Sequence, residues 1–356
     1  MKILSALLFL ITLTNATFGQ SDLTQFIDAY LKNKEFNGTI LIQRESKTIH
    51  HRSYGLANYE FKIPNKVDTK YKIASITKLF TSVLIMQLVE KGSIDLYKPI
   101  KSYLPDYKGE GGDKITIHQL LNHTSGMANM DTVTSIESAL KNGVPAYQKP
   151  RTTDELLRNF GSARLVNKPG EVFDYNNADY IVLGKVIEKI YSKTFEQVLV
   201  ENILNPLNMT NSGLIYQDRI LEGLADTYFY RDDLKRLMPD LPVYMENWYA
   251  AGSMYATTND LLKFSNALFG LNLLSQESLN KMFVSGLDEY GYGVWVYEDY
   301  EINGKMYKII KRPGQIMGAH TMLFHVQTKA TIIILSNTGT ISLDDFAAKL
   351  AVQIVR

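Results

Sequence analysis

No cysteine occurs among the 356 residues, which excludes disulfides, a lipidated cysteine and thiol chemistry. Long apolar runs are missing too. The most hydrophobic stretch near the start, Ile3 to Leu13 of MKILSALLFLITLTNATFGQ, is much shorter than the roughly 20 residues of a membrane span. Neither sign of charge dominates, with Lys plus Arg 38 against Asp plus Glu 37, so there is no basic footprint for nucleic acid. The histidines at 50, 51, 118, 123, 320 and 325 form no HExxH pattern, and without cysteine ligands no metal or other cofactor is expected. His123 reads as a stabiliser of its own loop rather than a zinc ligand. Repeats and low-complexity stretches are absent as well.

What is present is ordinary for a folded protein: 45% hydrophobic and 21% charged residues. The length accommodates two domains or one larger fold of two interleaved lobes. Residues 1–20 combine Lys2, the short apolar run and small residues such as Thr14 and Ala16, the pattern of a secretory signal peptide, with a membrane anchor as the alternative. A periplasmic or secreted protein with no membrane span after leader removal is expected, its oligomeric state open.

Residues 22–32 place Leu23, Phe26, Ile27, Tyr30 and Leu31 on one helical face, and 38–45 with 48–54 read as a hairpin of strands. From Ser75 to Lys91 apolar residues surround the helix on all sides, as in a helix buried all round, and Gly92 is a suitable left-handed cap. Helical patterns with long loops fill 93–285, including periodic segments at 179–191 and 258–269. Strand patterns return at 292–297, 306–311, 320–326 and 330–336, before a final helix over 343–355. The expected fold is α/β of the α+β kind: one antiparallel sheet built from both termini and flanked by helices (21–75 and 287–356), with an inserted, mostly helical lobe (76–286). Short connections between the late strands favour antiparallel pairing.

Three stretches carry candidate chemistry. In Tyr71-Lys-Ile-Ala-Ser75-Ile-Thr-Lys78, the i, i+3 spacing puts Ser75 and Lys78 on one helical face. A hydroxyl needs a neighbouring base, and burial can lower a lysine's pKa enough to make it one. Free N–H groups at the helix start can bind an oxyanion. Ser278 and Lys281 share the spacing in an ordinary amphipathic stretch, so spacing alone leaves Ser75 either a nucleophile or a small helix-starting residue. Phe173-Asp-Tyr175-Asn176-Asn177 precedes a helix, so Tyr175 can relay a proton and Asn177 can hold a substrate amide, or the segment is an Asx turn with a cap. Arg312-Pro313-Gly314-Gln315 follows a strand and sets a cation where backbone can approach a ligand, or is a solvated strand end.

In this order the three stretches resemble the serine β-lactamase and penicillin-binding protein superfamily, and more closely its branch of class C β-lactamases, DD-peptidases, D-amino-acid peptidases and esterases. Leu120-Leu-Asn-His-Thr-Ser-Gly126, Asn205-Pro-Leu-Asn-Met-Thr210, Ala251-Gly-Ser-Met-Tyr-Ala-Thr-Thr-Asn-Asp260 and Tyr290-Gly-Tyr-Gly-Val294 also resemble segments of that branch. The resemblance implies catalysis by Ser75 as nucleophile, Lys78 as activator and Tyr175 as proton shuttle. It further implies substrate contacts from Asn177 and Arg312 beside Gly314, and an oxyanion hole from the N–H groups of Ser75 and Gln315. The activity implied is hydrolysis of an ester, a D-amino-acid peptide or amide, or a β-lactam through an acyl-enzyme; the alternative is a penicillin-binding or sensor module without turnover.

One departure bears on substrate. The branch's third motif offers Lys or His, then Thr, Ser or Gly, then Gly, whereas Pro313 has neither hydroxyl nor N–H and Arg312 cannot give up its proton. Arg312 can still grip a carboxylate bidentately. Asn337-Thr-Gly339 is a rival third motif without a cation, and no glutamate stands out to activate the deacylating water.

Overall fold

The computed structural model describes residues 20–133, 135–161 and 164–355, so the leader, apart from Gln20, lies outside the described residues. Strands β1 (Gly38–Arg44), β2 (Lys47–Tyr54), β3 (Trp295–Ile302), β4 (Lys305–Ile316), β5 (Ala319–Val326) and β6 (Ala330–Ser336) form one sheet in the order β3-β4-β5-β6-β1-β2. Every pairing is antiparallel. Sheet pairing between β1 and β6, Gly38 opposite Ser336 through Arg44 opposite Ala330, joins the two ends of the chain.

Strand alternation decides what each face covers. Ile40, Ile42, Ile332 and Ile334 point to one side, where they pack on Leu23 and Ile27 of helix α1 (Gln20–Leu31) and on a late helix carrying Phe346 and Leu350. Leu41, Ile333 and Leu335 point to the other, into the larger core shared with the lobe. At the centre of that core lies helix α2 (Thr77–Glu90), with eleven of its 14 residues buried, as its lack of a polar stripe requires. Phe80 stacks on Phe264 of a later helix at 3.8 Å. Gly92 takes φ +70° behind α2, in the conformation that ends helices. Helix α3 (Asn177–Tyr191) packs beside α2, and helices α4 (Thr258–Phe269) and α5 (Leu343–Ile354) lie against opposite faces of the sheet.

Three local readings change. The helix expected from Ser75 begins as a 3-10 turn, Ala74–Ile76, before the α-helix proper starts at Thr77, because Ala74 takes φ +48° where the chain leaves strand Tyr71–Lys72. Strand β4 runs on to Ile316 rather than stopping at Lys311: pairing with β5 continues through Pro313 opposite Met322 and Gly314 opposite Thr321. Its pairing with β3 ends at Lys311 opposite Trp295, so from Arg312 on the outer edge of β4 has no ladder partner and proline breaks nothing there. The lobe also contains strands, including a hairpin of Tyr228–Arg231 with Arg236–Pro239, which its short, charge-rich sequence did not announce.

Candidate active site

The turn bearing Ser75 is clamped from both lobes. Thr77 Oγ1 donates to Ala74 O (2.7 Å), Thr321 Oγ1 of β5 donates to Ile73 O (3.0 Å), and Arg312 Nε of β4 donates to Ser75 O (2.6 Å). Such clamps hold a positive-φ residue such as Ala74 in place. One turn into the helix, Lys78 is wholly buried, with Nζ 3.3 Å from Ser75 Oγ, 2.5 Å from Asn177 Oδ1 and 2.9 Å from Ala251 O. Nζ thus donates to two carbonyl acceptors and meets the serine hydroxyl. Burial pushes the Lys78 pKa down; the tyrosine beside it opposes this, and the Arg312 charge adds to it.

Tyr175 completes the group. Its ring lies 4.7 Å from Lys78 Nζ and its hydroxyl accepts from Arg312 Nη2 at 2.5 Å. Burial raises a phenol's pKa, but the Arg312 and Lys78 charges, with hydrogen bonds to Lys78 and Ser75, outweigh it and bring Tyr175 from 10 to about 8. The Arg312 side chain has no exposed surface: besides Ser75 O and Tyr175, it donates to Tyr290 OH at 2.9 Å.

A cavity of about 300 Å³ opens in front of this cluster, with Ser75, Asp131, Tyr147, Tyr175, Asn177 and Gln315 in its wall. Asn177 Nδ2 donates to Asp131 Oδ2 (2.6 Å) and the Tyr147 hydroxyl to Asp131 Oδ1 (2.5 Å). Burial pushes the Asp131 carboxyl upward, against its hydrogen bonds to Tyr147 and Asn177 and the Lys78 charge. The Tyr147 ring is stacked flat on Trp248 at 3.6 Å. Gly314 lies where no side chain fits: a Cβ there would stand 2.4 Å from Thr321 Oγ1, 2.5 Å from Ile73 O and 3.1 Å from Ser75 N. The strand backbone thus reaches the amide of Ser75, and Gln315, next along, faces the cavity.

The structure brings Ser75, Lys78, Tyr175, Asn177, Arg312, Gly314 and Gln315 together. Two of them sit differently from the reading given above. Arg312 lies behind Tyr175 with its donors occupied and is not in the cavity wall, and Gly314 meets the nucleophile turn rather than open space. Asn176 is the Asx cap, accepting from Ala178 N at 3.0 Å, which frees Asn177 to face Lys78. The rival Asn337 is buried and donates to Leu56 O and Asp226 O, a structural clasp. Lys281 is paired with Glu277 on the exposed side of its helix, while Ser278 is buried on the other. Sequence reasoning missed Asp131 and Tyr147, which come from loops, and Trp248, which ends the short 3-10 helix Met245–Trp248, all without periodicity. Tyr290 and the Ala251 carbonyl lay inside segments already singled out.

The Beta-lactamase family model matches residues 23–355. The chain belongs to the beta-lactamase family. Within curated relatives, this beta-lactamase-family chain is 30% identical over 276 residues to the putative penicillin-binding protein PbpX of Bacillus subtilis (strain 168), across 77% of this chain and 66% of the relative. It is 28% identical over 276 residues to the teichoic acid D-alanine hydrolase of Staphylococcus aureus (strain MRSA252), across 76% and 65%. The matched stretch therefore spans just under two thirds of these relatives' own length. In solved structures, the penicillin-binding protein from Bacillus halodurans superposes with a TM-score of 0.76 at 28% identity, over 91% of this chain and 98% of that one. A D-amino acid amidase from Ochrobactrum anthropi SV3 shares the fold, with a TM-score of 0.73 at 22% identity over 94% and 98%. This beta-lactamase-family chain is thus built on an antiparallel sheet flanked by helices, the fold these solved structures share.

Proposed function

We propose that this protein is an exported serine hydrolase that forms an acyl-enzyme at Ser75 and cleaves D-aminoacyl esters or amides. The observation that carries the chemistry is the convergence of Lys78 and Tyr175 on Ser75. Lys78 and Tyr175 act as a coupled pair; having lost one proton, the pair takes the proton of the Ser75 hydroxyl as Oγ attacks the carbonyl carbon. The carbonyl oxygen becomes an oxyanion, for which the backbone N–H groups of Ser75 and Gln315 are the donors. Tyr175 returns the proton to the departing oxygen or nitrogen as that bond breaks, and water then releases the acyl group by the reverse route.

The preference among substrates rests on where the charges lie. Lys78 and Arg312 are buried and occupied, so neither offers the cavity a cation. The open wall instead presents Asp131 beside Asn177. Such a wall suits an acyl group bearing an ammonium or N–H donor and disfavours a substrate that must be gripped by a carboxylate, as β-lactams and peptides ending in a free carboxylate are. The names of the relatives, a teichoic acid D-alanine hydrolase and a D-amino acid amidase, support this reading.

Intact-mass analysis after offering a fluorophosphonate, a D-alanyl ester and a penicillin tests it. A fluorophosphonate adduct lost in Ser75→Ala, with rapid turnover of the D-alanyl ester, is expected. No adduct and no hydrolysis with any of the three rejects the enzyme. A penicillin adduct that forms and never clears favours the second reading, a penicillin-binding or sensor module, for which the penicillin-binding relatives speak. Export rests on the leader at 1–20 and is checked by fractionating cells. Among the described residues no helix is long and apolar enough to cross a membrane.

A further inference from the structure

We propose that His123 and Asp179 form an uncharged strut behind Tyr175, in which Asp179 keeps its carboxyl proton and donates it to His123 Nδ1, and that this strut holds the tyrosine hydroxyl over Ser75. The inference rests on the role given to Tyr175 above; His123 and Asp179 are positioning residues, since they act through it.

His123 is buried completely, with φ +58°, and supports three consecutive residues of the Tyr175 segment. Its carbonyl accepts from Asp174 N at 2.9 Å, its ring centroid lies 4.4 Å from that of Tyr175, and its Nδ1 lies 3.3 Å from Asn176 N. A ring nitrogen that accepts a backbone N–H carries no proton of its own. The same Nδ1 lies 2.8 Å from Asp179 Oδ2, and two acceptors do not bond, so the carboxyl supplies the hydrogen.

Burial argues the same way. Asp179 Oδ1 and His123 Nε2 have no hydrogen-bond partner; an ionised carboxylate would leave a bare anionic oxygen in the core, where an unpaired charge costs most. An imidazolium would stand as a third cation near Lys78 and Arg312. Burial drives Asp179 up, with the Asp174 charge and against a Ser125 hydrogen bond and the Lys78 charge, and drives His123 down, where the Lys78 and Arg312 charges push it further. The groups facing the pair are the rings of Phe173, Tyr175, Tyr180 and Tyr290, together with Ser125, Asp174, Lys78 and Arg312.

Infrared difference spectra of the full chain read the carboxyl directly. A protonated C=O band at neutral pH that vanishes in Asp179→Asn is expected; a wild-type protein lacking it overturns the proposal, whatever the activity. Kinetics read the positioning. His123→Ala should lower kcat roughly ten- to a hundredfold, as small misplacements of a catalytic group do, with KM little changed. It should also move the tyrosinate absorbance assigned to Tyr175 by comparison with Tyr175→Phe. Asp179→Asn, whose amide N–H can still donate to Nδ1, should retain far more activity than Asp179→Ala. A folded His123→Ala with normal kcat and an unmoved Tyr175 titration refutes the strut, as do equal losses in the two Asp179 variants. If His123→Ala does not fold, the carboxyl band and the Asp179 pair still decide. Failure of fluorophosphonate to label Ser75 removes the proposed function but leaves the band as a separate result.

Discussion

Arg312 commits its guanidinium inside the protein, to Tyr175, Tyr290 and the Ser75 carbonyl, and its expected effect is on the acidity of Tyr175. With Tyr175 drawn down to about 8 against the effect of burial, mainly by the Arg312 charge, the form able to accept the serine proton grows as pH rises through that value. The acylation rate should therefore climb with pH and level off above about 8, and Arg312→Gln should move the climb to higher pH, because burial then acts with less opposition. A pH profile of kcat/KM for both proteins checks the sign; an unmoved profile removes Arg312 from the scheme. Asp131 bears on substrate choice. Asp131→Asn should raise KM about tenfold or more for a D-alanyl ester with a free ammonium, the usual scale for losing a charged partner, while a simple neutral ester is little affected. At this scale spacing alone left Ser75 with Lys78, and Tyr175 with Asn177, an ordinary alternative each; it was their order along the chain, in resemblance to a known family, that singled them out as residues that would meet. The sequence was silent on Asp131, Tyr147 and Trp248, whose segments meet only in the folded chain. Arg312 was found by position, yet its burial beneath Tyr290 and Trp295 was not, because only folding brings those rings onto its guanidinium.

Strand β4 and the turn before α2 act as one element in the site. Gly314 lets the strand backbone approach Ser75 N, and the space a Cβ needs is already filled by Thr321 Oγ1 and Ile73 O. Gly314→Ala should lower kcat by about a hundredfold or more, the scale seen on losing one oxyanion donor, with the melting temperature changing far less than after a core truncation. Steady-state kinetics beside calorimetry separate the two effects. For the core, Leu84→Ala in the fully buried middle of α2 should cost about 2–5 kcal/mol, measured by urea unfolding. Most elements were readable from periodicity, because strands facing two cores and helices facing one carry strong patterns. What escaped were the 3-10 start at Ala74 and the continuation of β4 through Pro313 and Gly314. Both are set by partners distant in sequence, Met254 and β5, rather than by local preference.

Across the whole molecule, the sheet order puts β6 between β5 and β1, so the late strands and the early hairpin are joined through one strand. A chain ending after Val326 lacks β6 and α5 and should show no cooperative thermal transition by circular dichroism, since both faces of the sheet and its central ladder are then incomplete. The two-ended sheet was anticipated from the return of strand patterns near the end, and the early hairpin and antiparallel late strands from their short connections; that β1 would lie beside β6 was not, because partners distant in the chain leave no mark in a single sequence. The same arrangement has a consequence in time. Ser75 is synthesised before its clamps from Arg312 and Thr321 and the backbone beside Gly314, which arrive some 240 residues later. A ribosome-bound chain therefore carries the serine without its chemistry. The site is complete only once the segment carrying Arg312, Gly314 and Thr321 has been made and folded against it.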